Sequence, residues 1–144
     1  MKSTKGWRGY ISSREIGEST IPQRLQNMVI RNYAQSKGMV FLLSGTEYYM
    51  DNCYMMLSAL LEELEKISGI IFYSVKLLPP DLTERKKIYS AVLSKGCGLH
   101  FALEELAIVQ ENDTELIEDI IACKLLTGKV KNSFLWEEML KNSS

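Results

Sequence analysis

The sequence predicts a single-domain α/β fold: a mainly parallel sheet of four to five strands with helices on both faces. Three observations predict it. Short β-type segments alternate with segments of helical period along the chain. The run GIIFYSV, Gly69 to Val75, is apolar on both faces, as in a strand buried from both sides. No repeat, low-complexity tract or linker divides the 144 residues, a length that suits one core. The core is expected over about 7–127, with a helical tail over about 130–144.

The elements follow in order. Trp7 to Ser12 is β-type. Ile21 to Lys37 reads as a helix with the stripe Ile21, Leu25, Met28, Val29 and Tyr33, Thr20 as N-cap, Pro22 in the first turn and Gly38 at the end. Met39 to Leu43 is a short apolar run that reads as a strand, closed by Ser44-Gly45-Thr46. Asp51 or Asn52 would cap a helix from Cys53 to about Ile67, striped by Met56, Leu57, Leu60, Leu61 and Leu64. After the strand at Gly69, Pro79-Pro80 breaks the chain. Asp81 to Glu84 has capping-box spacing for a helix from about Leu82 to Lys95. Gly96 and Gly98 stop it. Leu99 to Leu103 is a fourth strand, Ala107 to Val109 a short fifth, and Thr114 to Leu126 a long last helix. Phe134 to Leu140 adds a turn or two, with Trp136 able to dock on the body or a neighbour.

Composition excludes several functions. Hydrophobic residues are 46% and charged residues 24%, a globular balance. A net charge of −1 gives no basic field to hold nucleic acid unaided. The opening MKSTKGW has no apolar run, so no signal peptide is expected, and no stretch approaches a membrane span. Cys53, Cys97 and Cys123 are odd in number and widely spaced, which suits reduced, partly buried thiols in a cytoplasmic protein. His100 is the single histidine, so no multi-histidine metal site forms, and no cofactor is expected. No dinucleotide, P-loop, zinc-protease or hydrolase-elbow motif is present.

Parallel sheets hold ligands beyond the carboxyl ends of their strands. Here that edge collects the loops 12–20, 44–52, 74–80 and 104–105. The first is rich in hydroxyls (Ser12, Ser13, Ser19, Thr20) and carries Arg14. The second carries Glu47, Tyr48 and Tyr49, and the third follows Tyr73 and Ser74. Hydroxyls, an arginine and aromatics suit a polar ligand with an anionic group, and the helix start at Ile21 adds N–H groups and a positive dipole end. Ligand-binding candidates are Ser12, Arg14, Thr20, Gln23, Tyr48, Tyr49, Tyr73 and Ser74. Catalytic candidates are Ser13, Glu47, His100 and Glu104. Each has a plainer reading. The serines serve loop backbone, Arg14 a surface ion pair, Gln23 and Gln26 helix surface, the tyrosines packing, and His100 a hydrogen-bonded sheet position.

Two resemblances bear on this. Gly9-Tyr10, the serine loop and Gln23, with the later IIFYSVKLLPPDLTERKKIYSAVLSKGCGLHF, resemble the serine recombinase catalytic domain over about 8–110. That resemblance implies a serine-recombinase-like fold with flavodoxin-like strand order. Counting from Tyr10, the nucleophilic serine would fall on Arg14 and its partner arginine on Ser12; a one-residue slip gives Ser13 that role. The family's aspartate and arginines fall on Leu78, Pro79 and Leu82, so the guanidinium groups a phosphodiester exchange needs are missing. No counterpart of the family's DNA-binding segment is expected here.

RGYISSREIGESTIPQRLQN, SGTEYYMDNCYMML, IIFYSVKLLPP and LHFALEEL together look like the sporadic carbohydrate cluster proteins, small bacterial proteins of surface-polysaccharide gene neighbourhoods. This resemblance reaches to about Leu126. It implies a role in making or modifying a cell-surface sugar, and names no reaction. The expected partner is a small carbohydrate: a sugar phosphate, nucleotide sugar or acidic sugar. The alternative is a non-catalytic partner, a homodimer or a protein docked on a polysaccharide-biosynthesis enzyme, contacting through Tyr48 to Met56 and Trp136. No nucleic acid and no membrane insertion are expected.

Overall fold

The computed structural model describes residues 5–13, 16, 20–48 and 53–131, with side chains as far as residue 123. Its elements are β1 (Trp7–Ser12), α1 (Gln23–Ser36), β2 (Phe41–Glu47), α2 (Met55–Glu62), β3 (Gly69–Phe72), α3 (Leu82–Ser94), β4 (Gly98–Phe101), β5 (Leu106–Ile108) and α4 (Asp113–Lys131). The strands lie in the order β2-β1-β3-β4-β5. The first four are parallel, and β5 runs antiparallel to β4. Parallel neighbours need a crossover, and α1, α2 and α3 supply the three. The hairpin between β4 and β5 is tight enough to hold Glu105 at a φ of 57°.

On one face of the sheet α2 and α3 pack together. Gly45 leaves room there for Met56 and Leu60 of α2. Tyr10, Phe72 and Phe101, all buried, form a ladder across three strands, with ring centroids 4.7 and 5.6 Å apart. Register places them opposite one another, Tyr10 beside Phe72 and Phe72 beside Phe101. Large buried rings in tilted and edge contact contribute both apolar burial and favourable ring–ring geometry.

The other face carries α1 and is built differently. Trp7 lies over Gly69 and Gly98, and a Cβ on either glycine would strike the indole. The indole edge meets His100 at 4.8 Å. Gly9 likewise makes room for Ser44, whose hydroxyl donates to Asn27 of α1 at 2.6 Å.

Several expectations are corrected. The second strand does not stop at Ser44. The register slips between Trp7–Phe41 and Gly9–Ser44, so β2 carries one extra residue, a bulge, and runs on to Glu47. Arg8 fills the bulge: its Nε donates to the Leu43 carbonyl and its Nη1 to Glu63, both at 2.6 Å. The second helix, expected from Cys53 to about Ile67, shortens to Met55–Glu62, followed by a 3-10 turn at Leu64–Lys66. The buried stripe of α1 is Gln26, Ile30, Tyr33 and Ala34, while Leu25 and Met28 are exposed. Pro22, not Thr20, occupies its N-cap position. The cap of α3 agrees with the sequence reading: Asp81 accepts from the Glu84 amide at 3.3 Å. Asp51, Asn52, Ser19 and the 134–140 tail lie outside the described residues. No helix among the described residues is long and apolar enough to cross a membrane.

Candidate ligand-binding edge

The carboxyl ends of β1, β2, β3 and β4 meet at one side of the sheet, and buried side chains tie them together. Gln26 is fully buried although it lies on a helix. It accepts from the Ser12 amide at 3.0 Å and donates to the Ser12 carbonyl at 2.7 Å, mimicking a strand partner at the end of β1. It also donates to the Ile21 carbonyl at 2.8 Å, which holds the chain entering α1. Sequence reasoning favoured Gln23, which is exposed. The missed signal was phase: Gln26 shares the i, i+4, i+7, i+8 stripe with Ile30, Tyr33 and Ala34. A glutamine on an apolar stripe must satisfy its amide inside the fold.

Two carboxylates end two strands and do the same work. Glu47, at the end of β2, is 2% exposed. It accepts from the amides of Met56 and Leu57 at 3.1 and 3.2 Å, and from the Tyr10 hydroxyl at 2.7 Å. It thus caps α2 from the end of the preceding strand, at the positive end of the helix. Glu104, just past β4, accepts from the Ser74 hydroxyl at 2.6 Å and from the Val75 amide at 3.1 Å. That caps the 3-10 turn Val75–Leu77. Burial, with Glu104 nearby, raises the Tyr73 phenol above its ordinary pKa.

The candidates therefore divide. Ser12, Glu47, Tyr73 and Ser74 are buried, and Glu104 is half-buried and engaged. Ser13 is half-buried. Its amide bonds the Glu47 carbonyl at 2.9 Å, and its hydroxyl stands 3.4 Å from the same oxygen. Thr20, Gln23 and Tyr48 are exposed, Tyr48 by 67%. Arg14 and Tyr49 lie outside the described residues.

His100 is not brought to this edge. It is level with Ile71 and Gly9, three residues short of Ser12, roughly 10 Å along the strands. It lies on the α1 face, with Nδ1 2.6 Å from the Tyr33 hydroxyl. Burial, and then Lys37, lower its pKa to about 4. Burial, and then Glu105, raise that of Tyr33. Both shifts favour the neutral forms, so a neutral phenol and a neutral imidazole share this hydrogen bond.

A second polar cluster ties α4 to α3. Arg85 holds Glu118 through two bonds of 2.8 and 2.7 Å and also donates to the Pro79 and Pro80 carbonyls. Tyr89 donates to Glu118 at 2.6 Å. The Arg85 hydrogen bond keeps the Glu118 carboxyl below its ordinary range. Every partner is satisfied, which fits a structural clasp.

No protein-family model and no curated protein matches the sequence. Among solved structures, the chain is similar to the crystal structure of the N-terminal catalytic domain of TP901-1 integrase. Identity is 11%, the alignment covers 83% of this chain and 95% of that one, and the TM-score is 0.57. This likeness is one of fold, and it agrees with the serine-recombinase-like architecture expected from the sequence.

Proposed function

We propose that this chain is a non-catalytic binding protein of cell-surface carbohydrate biosynthesis. Its loop edge holds a sugar phosphate, nucleotide sugar or acidic sugar. One observation supports the non-catalytic part: Glu47 and Glu104, the two acidic catalytic candidates at that edge, accept backbone amides as caps. In each case the bonds hold the start of a helix or turn in place, a structural use of the side chain. The binding part is supported by what stays open. Tyr48 offers an exposed ring for a sugar face, with Ser13 next to it through the Ser13–Glu47 backbone bond. The carbohydrate class rests on the sequence resemblance described above.

Thermal unfolding against nucleotide sugars, sugar phosphates and acidic sugars tests it. The expected result is a rise in midpoint with one ligand class, lost in Tyr48→Ala and Arg14→Ala. No rise with any of them from folded protein would overturn the proposal. A second reading, a partner docked on a polysaccharide-biosynthesis enzyme, is favoured by the exposure of Tyr48 and of Met55, 67% and 77%.

A further inference from the structure

The outer side of β2 carries a feature that the loop edge does not use. β2 is the last strand of the sheet on its side. The carbonyls of Leu43 and Glu47 turn inward, to Arg8 and to Ser13. Alternation along the strand then turns the amides and carbonyls of Ser44 and Thr46 outward, where no strand lies among the described residues. Beside them, α1 and β2 enclose an open cavity of about 500 Å³. Asn27 and Arg31 line it from the helix, and Phe41, Leu43, Ser44 and Thr46 from the strand.

We propose that this groove docks an extended acidic peptide segment of a partner protein, which adds to the sheet as a strand along β2. Three features select that partner. Unpaired strand polar groups are matched by another extended backbone. Leu43, 74% exposed, asks for an apolar side chain on the incoming strand. The charge of the groove is positive. Arg31 lies with its guanidinium 5.5 Å over the Phe41 ring, and Arg24 stands two turns earlier on the same helix side. Among the described residues neither arginine is within ion-pair distance of a carboxylate. The one acid of β2, Glu47, points to the opposite face and caps α2. A second copy of this chain is the poorer occupant. Its β2 would bring no outward acid, and its own Arg24 and Arg31 would face those already there. Neither Ser13 nor Ser74 lines the groove, and its proposed occupant does not depend on what the loop edge binds.

The test is fluorescence anisotropy with the full chain and a labelled, end-blocked peptide of alternating glutamate with valine and threonine. Saturable binding is expected. Arg31→Glu and Arg24→Glu, both on an exposed helix side, should each weaken it about tenfold. The same peptide N-methylated at every backbone nitrogen should not bind, since it keeps the charge and has no N–H left for strand pairing on either edge. Four results would overturn the proposal. They are no saturable binding by the wild type, equal binding by Arg31→Glu, equal binding of the methylated peptide, or a β2-dependent dimer in sedimentation.

Discussion

The two faces of the sheet are stabilised by opposite means. The face under α2 and α3 is filled by side chains: Tyr10, Phe72 and Phe101 touch in series, and the Tyr10 hydroxyl carries the series on to Glu47 and the start of α2. The face under α1 is filled by making room: Gly9, Gly69 and Gly98 give way to Ser44 and Trp7, and the contacts that result are polar or aromatic edges. A face made of large side chains fails when one is removed. A face made of missing side chains fails when one is added. The chemistry that can change state, His100 with Tyr33, lies on the second.

The largest expected effect breaks the first face. Phe72 is fully buried between Tyr10 and Phe101. Phe72→Ala should cost about 4 kcal/mol of unfolding free energy in urea, from lost burial and the cavity left behind. A cost below about 1 kcal/mol would mean that the ladder is not a main support of the fold.

The next breaks the second face. In Gly69→Ala the new methyl would meet both the Gly98 carbonyl and the Trp7 ring. Overpacking against backbone should cost about 3 kcal/mol, and displaced Trp7 should shift its emission to the red in a Trp136→Phe background. Adding Trp7→Ala should return part of the loss if the ring is the obstacle. No return would place the strain on the Gly98 carbonyl instead.

A third prediction sharpens the contrast by pH. The folded His100 has its pKa lowered from 6.5 to about 4 by burial and Lys37. Between those values the unfolded chain binds the proton and the folded chain does not, so this residue destabilises the fold as pH drops from about 6.5 to about 4. Below the folded value the loss is complete and levels off. Its slope cannot exceed about 1.4 kcal/mol per pH unit, one proton's worth. His100→Gln should show a shallower fall of midpoint than wild type across that window. The carboxylates, common to both proteins, cancel in the comparison. Parallel curves would remove His100 as a titrating element.

The faces also differed in how far the sequence revealed them. The stripe Leu57 and Leu60 of α2, with Leu64 in the turn after it, and the apolar strand at Ile70 to Phe72 were legible, because burial there is achieved with large apolar residues. The α1 face was not. Its stripe includes Gln26 and Ala34, while Leu25 and Met28 sit outside, so hydrophobicity alone set the helix in the wrong phase. The bulge at Leu42-Leu43 hid the true end of β2, since Ser44-Gly45-Thr46 reads as a turn unless Gly45 is known to face Met56 and Leu60. The carboxylates at the strand ends were found as candidates. Their partners were not, because Glu47 caps a helix nine residues on, and Glu104 a turn thirty residues back.

The smallest effect asks whether the polar seam of the α1 face is a support or only a fit. Ser44 donates to Asn27 at 2.6 Å, and both residues are half-buried on the wall of the groove. In Ser44→Ala water can reach the Asn27 amide, so the loss is one partly solvated hydrogen bond, about 0.5 to 1 kcal/mol. Gly9, against which the hydroxyl packs, loses a neighbour and gains no clash. A measured cost in that range would say that α1 is held to the sheet mainly by its buried stripe, Gln26, Ile30, Tyr33 and Ala34, and that the polar wall is open to serve a partner. A cost near that of Phe72→Ala would make the seam a structural joint. The α1 face would then depend on a single hydrogen bond as heavily as the other face depends on a ring.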